Sequence, residues 1–135
     1  MANAFSTQIL SNGPRNAVIK ITGILDTSNL ASTVAVDLAT LSPIVPGTST
    51  TQPAAVCIHH IDYSISDQLE VQLAWDATTD EVIMPLAGRG RLMFKDFGGL
   101  QNNAGAGKTG NINILTTGWA SGIQVFSVVL ELVKQ

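Results

Sequence analysis

Polar and apolar residues alternate with a period of two through most of this 135-residue chain, and no segment carries a helical stripe. "QLEVQLAWD" is the cleanest case. It sets Leu69, Val71, Leu73 and Trp75 on one face and Glu70, Gln72 and Ala74 on the other. In "NAVIKITGILD", Ile19, Ile21 and Leu25 point one way, and Val18, Lys20, Thr22 and Ile24 the other. Gly23 inside that run marks a bulge or a close approach. "STVAVDLATL" sets Val34, Val36 and Leu38 against Thr33, Ala35 and Asp37. Glycine, proline and asparagine punctuate these runs at "SNGPR", "SPIVPGTSTTQP", "AGRG" and "FGGLQNNAGAGKTGN".

About eight or nine short strands between such breaks predict an all-β fold, a single-domain antiparallel β-sandwich. A jelly roll is favoured over an immunoglobulin-like sandwich, which would carry a Cys…Trp…Cys spacing that is not found here. Residues 1–14 read as an N-terminal arm or edge strand and 15–135 as the sandwich. Long loops are expected at 42–53 and 98–110. The closing run "IQVFSVVLELVK" is apolar on both faces, which predicts a central strand or a subunit interface.

Only 13% of the residues are charged, against the usual quarter, while 45% are hydrophobic. A surface so poor in charge predicts extensive cover by other subunits. The net charge is −3 and no basic run occurs, which argues against a nucleic-acid partner. The single cysteine, Cys57, precludes an internal disulfide and a cysteine-based zinc site. The apolar runs are too short for a membrane helix, and the start lacks the pattern of a secretory signal, so the expectation is a protein made in the cytoplasm with no membrane partner.

Several stretches invite chemistry. "NNAGAGKT", residues 102–109, ends like a phosphate-binding loop, but Asn102 stands where the first glycine belongs, and a strand pattern follows instead of a helix. "CIHHID" gathers Cys57, His59, His60 and Asp62. On a regular strand Cys57 and His59 share one face and His60 and Asp62 the other, so neither face collects three metal ligands. A pH-sensitive interface histidine is the remaining special role for His59 or His60. Asp76, Asp80 and Glu81 could hold calcium or form a polar hairpin turn, and the turn is the plainer reading. Arg89 and Arg91 in "GRGR" read as a turn, solvated or paired with a neighbouring subunit. Trp75 is in phase with the core, whereas Trp119, in "TTGWASG", reads as a loop residue that packs or anchors an interface. No nucleophile stands in a recognisable catalytic context.

"RNAVIKITGILD", "LQNNAGAGKTGNINILTTGW" and the closing "FSVVLELVKQ" resemble stretches of small virion structural proteins of tailed bacteriophages. The nearest class is the capsid decoration, or cement, proteins: small, β-rich, often trimeric molecules on the capsid exterior. The resemblance implies a non-enzymatic role on the outside of the virion. The partners would be the major capsid protein and further copies of the chain, with a homotrimer favoured. It implies no cofactor, no metal and no small-molecule substrate. The expected contact residues are Phe5, Ile9 and Pro14 in the N-terminal segment, Pro46 in the proline-rich arm, Asn102, Asn103 and Lys108 in the glycine-rich loop, and Trp119. Glycines allow close backbone approach there, and prolines reduce the entropy lost on docking. The competing expectation is a carbohydrate- or receptor-binding sandwich in which Trp119 serves beside the asparagine-rich loop.

Overall fold

A computed structural model describes residues 3–12, 16–38 and 55–134. Pro14, Pro46 and the 42–53 loop lie outside the described residues. The strands are β1 (Ala4–Asn12), β2 (Asn16–Leu25), β3 (Thr33–Val36), β4 (Val56–Ile65) and β5 (Glu70–Trp75), followed by β6 (Glu81–Leu86), β7 (Arg89–Met93), β8 (Ile112–Thr117) and β9 (Gln124–Lys134). No α-helix occurs among the described residues.

Two antiparallel sheets face each other, with strand orders β1-β2-β9-β4-β7 and β3-β8-β5-β6. From β2 onward the chain crosses between the sheets at every connection except β5 to β6. Four strands face four in the interlocked order of a jelly roll, and β1 extends one sheet by an edge strand. The fold is therefore all-β, a jelly-roll sandwich.

The inner half of the two-sided apolar run has a direct explanation, while its outer row stays partly open, with Val125 exposed and Val129 and Val133 half-buried. β9 lies at the centre of the five-stranded sheet, bonded to β2 along one side and β4 along the other. Its inner row, Phe126, Val128, Leu130 and Leu132, is buried with Ile19, Ile21, Ile58 and Ile61 from the flanking strands. Leu69, Val71, Leu73, Trp75, Ile112 and Ile114 supply the opposite layer. The inner row of β9 ends on Lys134, which is buried, and desolvation lowers its pKa from the ordinary lysine value.

Three ladders slip, and in β3 and β4 the slip breaks the expected alternation. Between Val34 and Val36 the β3–β8 register shifts, so Val34 is 46% exposed while Ala35 is buried. Val34 therefore does not share the inner face with Val36 and Leu38. In β4 the register with β9 shifts between Ile58 and His60. The extra residue puts Cys57 on the same outer face as His60 and Asp62, against the expectation of opposite faces. The β5–β6 register also shifts, with Ile83 of β6 as the extra residue; β5 itself alternates without a break, and Ala74 on its outer face is buried rather than solvated. Arg89 and Arg91 belong to strand β7, while the turn itself is made by Ala87 and Gly88.

Gly23 pairs with Phe126 across β2 and β9, and a Cβ there would overlap the aromatic ring. Close packing, not a bulge, is what the glycine permits. Gly23→Ala should therefore cost about 1–3 kcal/mol of stability from overpacking. Adding Phe126→Leu should recover part of that loss in chemical denaturation, because the second change removes the clash. Strictly additive losses would refute the contact.

Candidate functional site

The glycine-rich loop is tied to its own sandwich. It leaves the 3-10 turn Lys95–Phe97, and Leu100 bridges to Ile58 with backbone bonds of 3.1 and 2.9 Å. Asn102 Oδ1 accepts the Ala104 N–H at 2.9 Å, and Ala104 is buried. Thr78 N–H donates to Ala106 O, Thr109 N–H to Asp76 O, and Asp76 N–H to Asn111 O. Gly107 has φ +79°, and a side chain there would run into Thr78. The glycine thus serves an approach within the chain.

Asp76 and Asp80 have a structural task. Asn113 Nδ2 donates to Asp76 Oδ1 and Asp80 Oδ2, each at 3.1 Å. Thr109 Oγ donates to Asp76 Oδ2 at 2.7 Å. The side chain of Asn113 points outward from β8 and is nevertheless 7% exposed, beneath these carboxylates. Glu81 is exposed at the start of β6 and makes no part of these hydrogen bonds. Among the described residues no group of three or more His, Cys, Asp or Glu is placed to hold a metal. Thr109 hydrogen-bonds a carboxylate where a phosphate loop needs a cation ligand, and β8 follows where that loop needs a helix.

The expected contact residues do not converge. Lys108 and Asn103 are exposed on the glycine-rich loop, and Asn102 is half-buried there. Trp119 lies at the other end of β8, which spans roughly 20 Å at the usual rise per residue. It therefore does not stand beside the asparagine-rich loop. Its ring packs on the core, Nε1 donates to Gly122 O at 3.0 Å, and its backbone N–H reaches Asn29 Oδ1 at 2.9 Å. Phe5 and Ile9 lie on the inner side of β1. Phe5 packs against the core, and Ile9 is 40% exposed.

The broadest candidate surface is one that alternation alone did not assemble: the outer face of the five-stranded sheet. Register places Ser6, Thr22, Ser127 and Ser64 side by side across four strands, with Arg89 at the end. Ser6 and Thr22 hydroxyls are 2.8 Å apart. On one side of this row stand the exposed Ile24 and Val125. On the other, Lys20, Val129, Asp62 and Arg91 follow, then Val18, Glu131, His60 and Met93. The charges are mostly paired: Arg91 Nε donates to Asp62 at 2.6 Å, and His60 Nδ1 lies 2.8 Å from Glu131. Arg91 thus finds its carboxylate within the chain. His60 Nε2 is buried without a hydrogen-bond partner, and Met93 beside it is exposed. The face is broad and hydroxyl-rich, and it carries Lys20 and Arg89 besides the two pairs.

Cys57 belongs to this outer side but is 3% exposed, and burial raises its thiol pKa. The larger surface hollows are open. One is lined by Ser64, Ser66, Gln68, Arg89 and Gln124, and another, of about 360 Å³, runs between β1 and β3.

No protein-family model matches this chain, and no curated protein does. Among solved structures, a cupin superfamily protein from Desulfitobacterium hafniense is similar at a TM-score of 0.35 with 13% identity. The match covers 96% of this chain and 79% of that one. A similarity at that level carries no argument, and the jelly roll stands on the strand order alone.

Two expected outcomes follow from this geometry. Asp76→Ala removes two side-chain hydrogen bonds and should cost about 1–3 kcal/mol. Amide exchange over residues 104–110 should speed up, and unchanged exchange would show that the loop is held otherwise. The raised Cys57 pKa means that the folded chain keeps the thiol proton to higher pH than the unfolded one. Its contribution to stability is full below the unfolded thiol pKa and declines as pH rises through the folded value. Alkylation at pH 8 should accordingly be at least tenfold slower in native protein than in denatured protein.

Proposed function

We propose that this chain is a non-enzymatic virion structural protein of the capsid-decoration type, a homo-oligomer that binds the outer surface of a capsid and reinforces it. The observation that carries the reading is the outer face of the five-stranded sheet. Five paired strands make a stiff platform, and its row of hydroxyls offers hydrogen bonds without the desolvation cost of free charges. Ile24, Val125 and Met93 add exposed apolar area to the same face. The low charge of the whole chain fits contact surfaces that are covered in the working state. The resemblance to phage decoration proteins supplies the capsid as partner.

The test is reconstitution. Purified protein is added to capsids assembled without it, and occupancy is read by co-sedimentation and cryo-electron microscopy. The expected result is saturable binding and capsids that survive higher temperatures. Ile24→Lys with Val125→Lys should lower occupancy at least tenfold with an unchanged fold, while Gln72→Lys, on the outer face of the other sheet, should leave it unaltered. No density on the particle at a tenfold molar excess ends the proposal.

A further inference from the structure

We infer that the free edge of β1 is a self-association site, at which β1 of a second copy pairs antiparallel with it to join two five-stranded sheets into one continuous ten-stranded sheet. Among the described residues the two sheets end in four edge strands, β1, β7, β3 and β6. An edge strand presents unpaired N–H and C=O groups, and proteins blunt such edges with short length, proline or charge. Three of the four are blunted. β3 has four residues, β6 carries Pro85, and β7 has five residues that include Arg89, Gly90 and Arg91.

β1 has none of these protections. It is nine residues long, with the sequence "AFSTQILSN", free of charge and of proline. Its one interruption is the register shift between Ile9 and Ser11. Among the described residues only β2 pairs with it. It is also held ready. Asn3 Oδ1 accepts the N–H groups of Asp26 and Thr27 at 2.9 and 3.1 Å, and Asn3 Nδ2 donates to Ser28 O at 3.0 Å. The Ser6–Thr22 contact fastens the middle. A strand fixed in this way has already lost the conformational entropy that docking would otherwise cost.

The chemistry selects the occupant. The free edge of a strand takes another strand, and one without charge gives a charged foreign segment nothing to recognise. A second β1 fits itself. In an antiparallel pair centred on Thr7, Ser6 faces Gln8 of the other copy and Phe5 faces its Ile9, so polar residues continue the outer face and apolar residues the inner one. The hollow between β1 and β3, lined by Thr7, Ile9, Ile19, Val34 and Val36, opens beside this edge. The second copy's inner row would pass its mouth and cover Ile9, which is 40% exposed. Such a contact is two-fold and yields even-numbered assemblies, where the resemblance implied a trimer. It does not rest on the capsid proposal: a chain that pairs in solution and ignores capsids would keep this inference and lose the other.

The experiment is sedimentation of the full chain with amide exchange at low and high concentration. The expected species has twice the mass of the chain, and exchange over residues 4–10 slows on concentration. Ser6→Lys with Gln8→Lys places like charges across the pair on an exposed face and should weaken association at least tenfold. Mixing that variant with Ser6→Glu, Gln8→Glu should restore a one-to-one complex. A monomer up to about 100 µM overturns the inference. So does a trimer in which residues 4–10 exchange freely, or a folded lysine variant that associates like the parent. If the charged variants fail to fold, concentration-dependent protection of residues 4–10 in the unmodified chain decides alone.

Discussion

The sandwich depends on one steric and solvation constraint: each strand must keep its apolar side toward the interior along its whole length, even where the ladder slips. Strands β2, β9 and β4 meet it from one sheet, and β5 and β8 from the other. Where a strand gains an extra residue, the alternation changes phase at that point, and the burial of the next side chain is recovered. Ile58 and Ile61 in β4 are both fully buried, although their spacing of three would put them on opposite faces of an unbroken strand. The slip at His59 is what allows both to reach the core. It also delivers Cys57, His60 and Asp62 to a single outer face, and so determines the content of that surface.

The fold was legible where the period of two runs unbroken. Leu69, Val71, Leu73 and Trp75 stand inward as their spacing requires, as do Ile19, Ile21 and Leu25. The long apolar run of β9 announced a covered strand, and the sheet centre covers its edges and the core its inner row, while the outer row stays partly open. The bulges at Ala35, His59 and Ile83 were not legible, because nothing in the local letters marks which residue leaves the ladder. Val34 and Ala35 exchange roles through pairing with β8, a strand far along the chain.

The surface was less legible than the core for the same reason. The hydroxyl row across Ser6, Thr22, Ser127 and Ser64 draws on four separate segments, and no segment by itself shows more than an ordinary polar position. The glycine-rich loop carried a strong local signal, but its glycines and asparagines answer to Asp76, Thr78 and Asp80, in a stretch the sequence offered as calcium ligands or a polar turn. Trp119 was correctly placed in a loop, and the partner of its backbone, Asn29, lies ninety positions earlier. Long-range hydrogen bonds of this kind leave no periodic trace.

The position of β9 bears on how the molecule comes into being. The second strand finds one neighbour in β1 and the other in the ninth, and β4 likewise meets β9 across its inner ladder. On the ribosome, the five-stranded sheet has no middle until residues 124–134 have left the exit tunnel. Until then β2 and β4 lack the neighbour they share, and the four-stranded sheet has no complete layer to pack against. The nascent chain is thereby exposed to association with its neighbours on a polysome, and chaperone cover during synthesis matters more for this topology than for a helical protein of equal length.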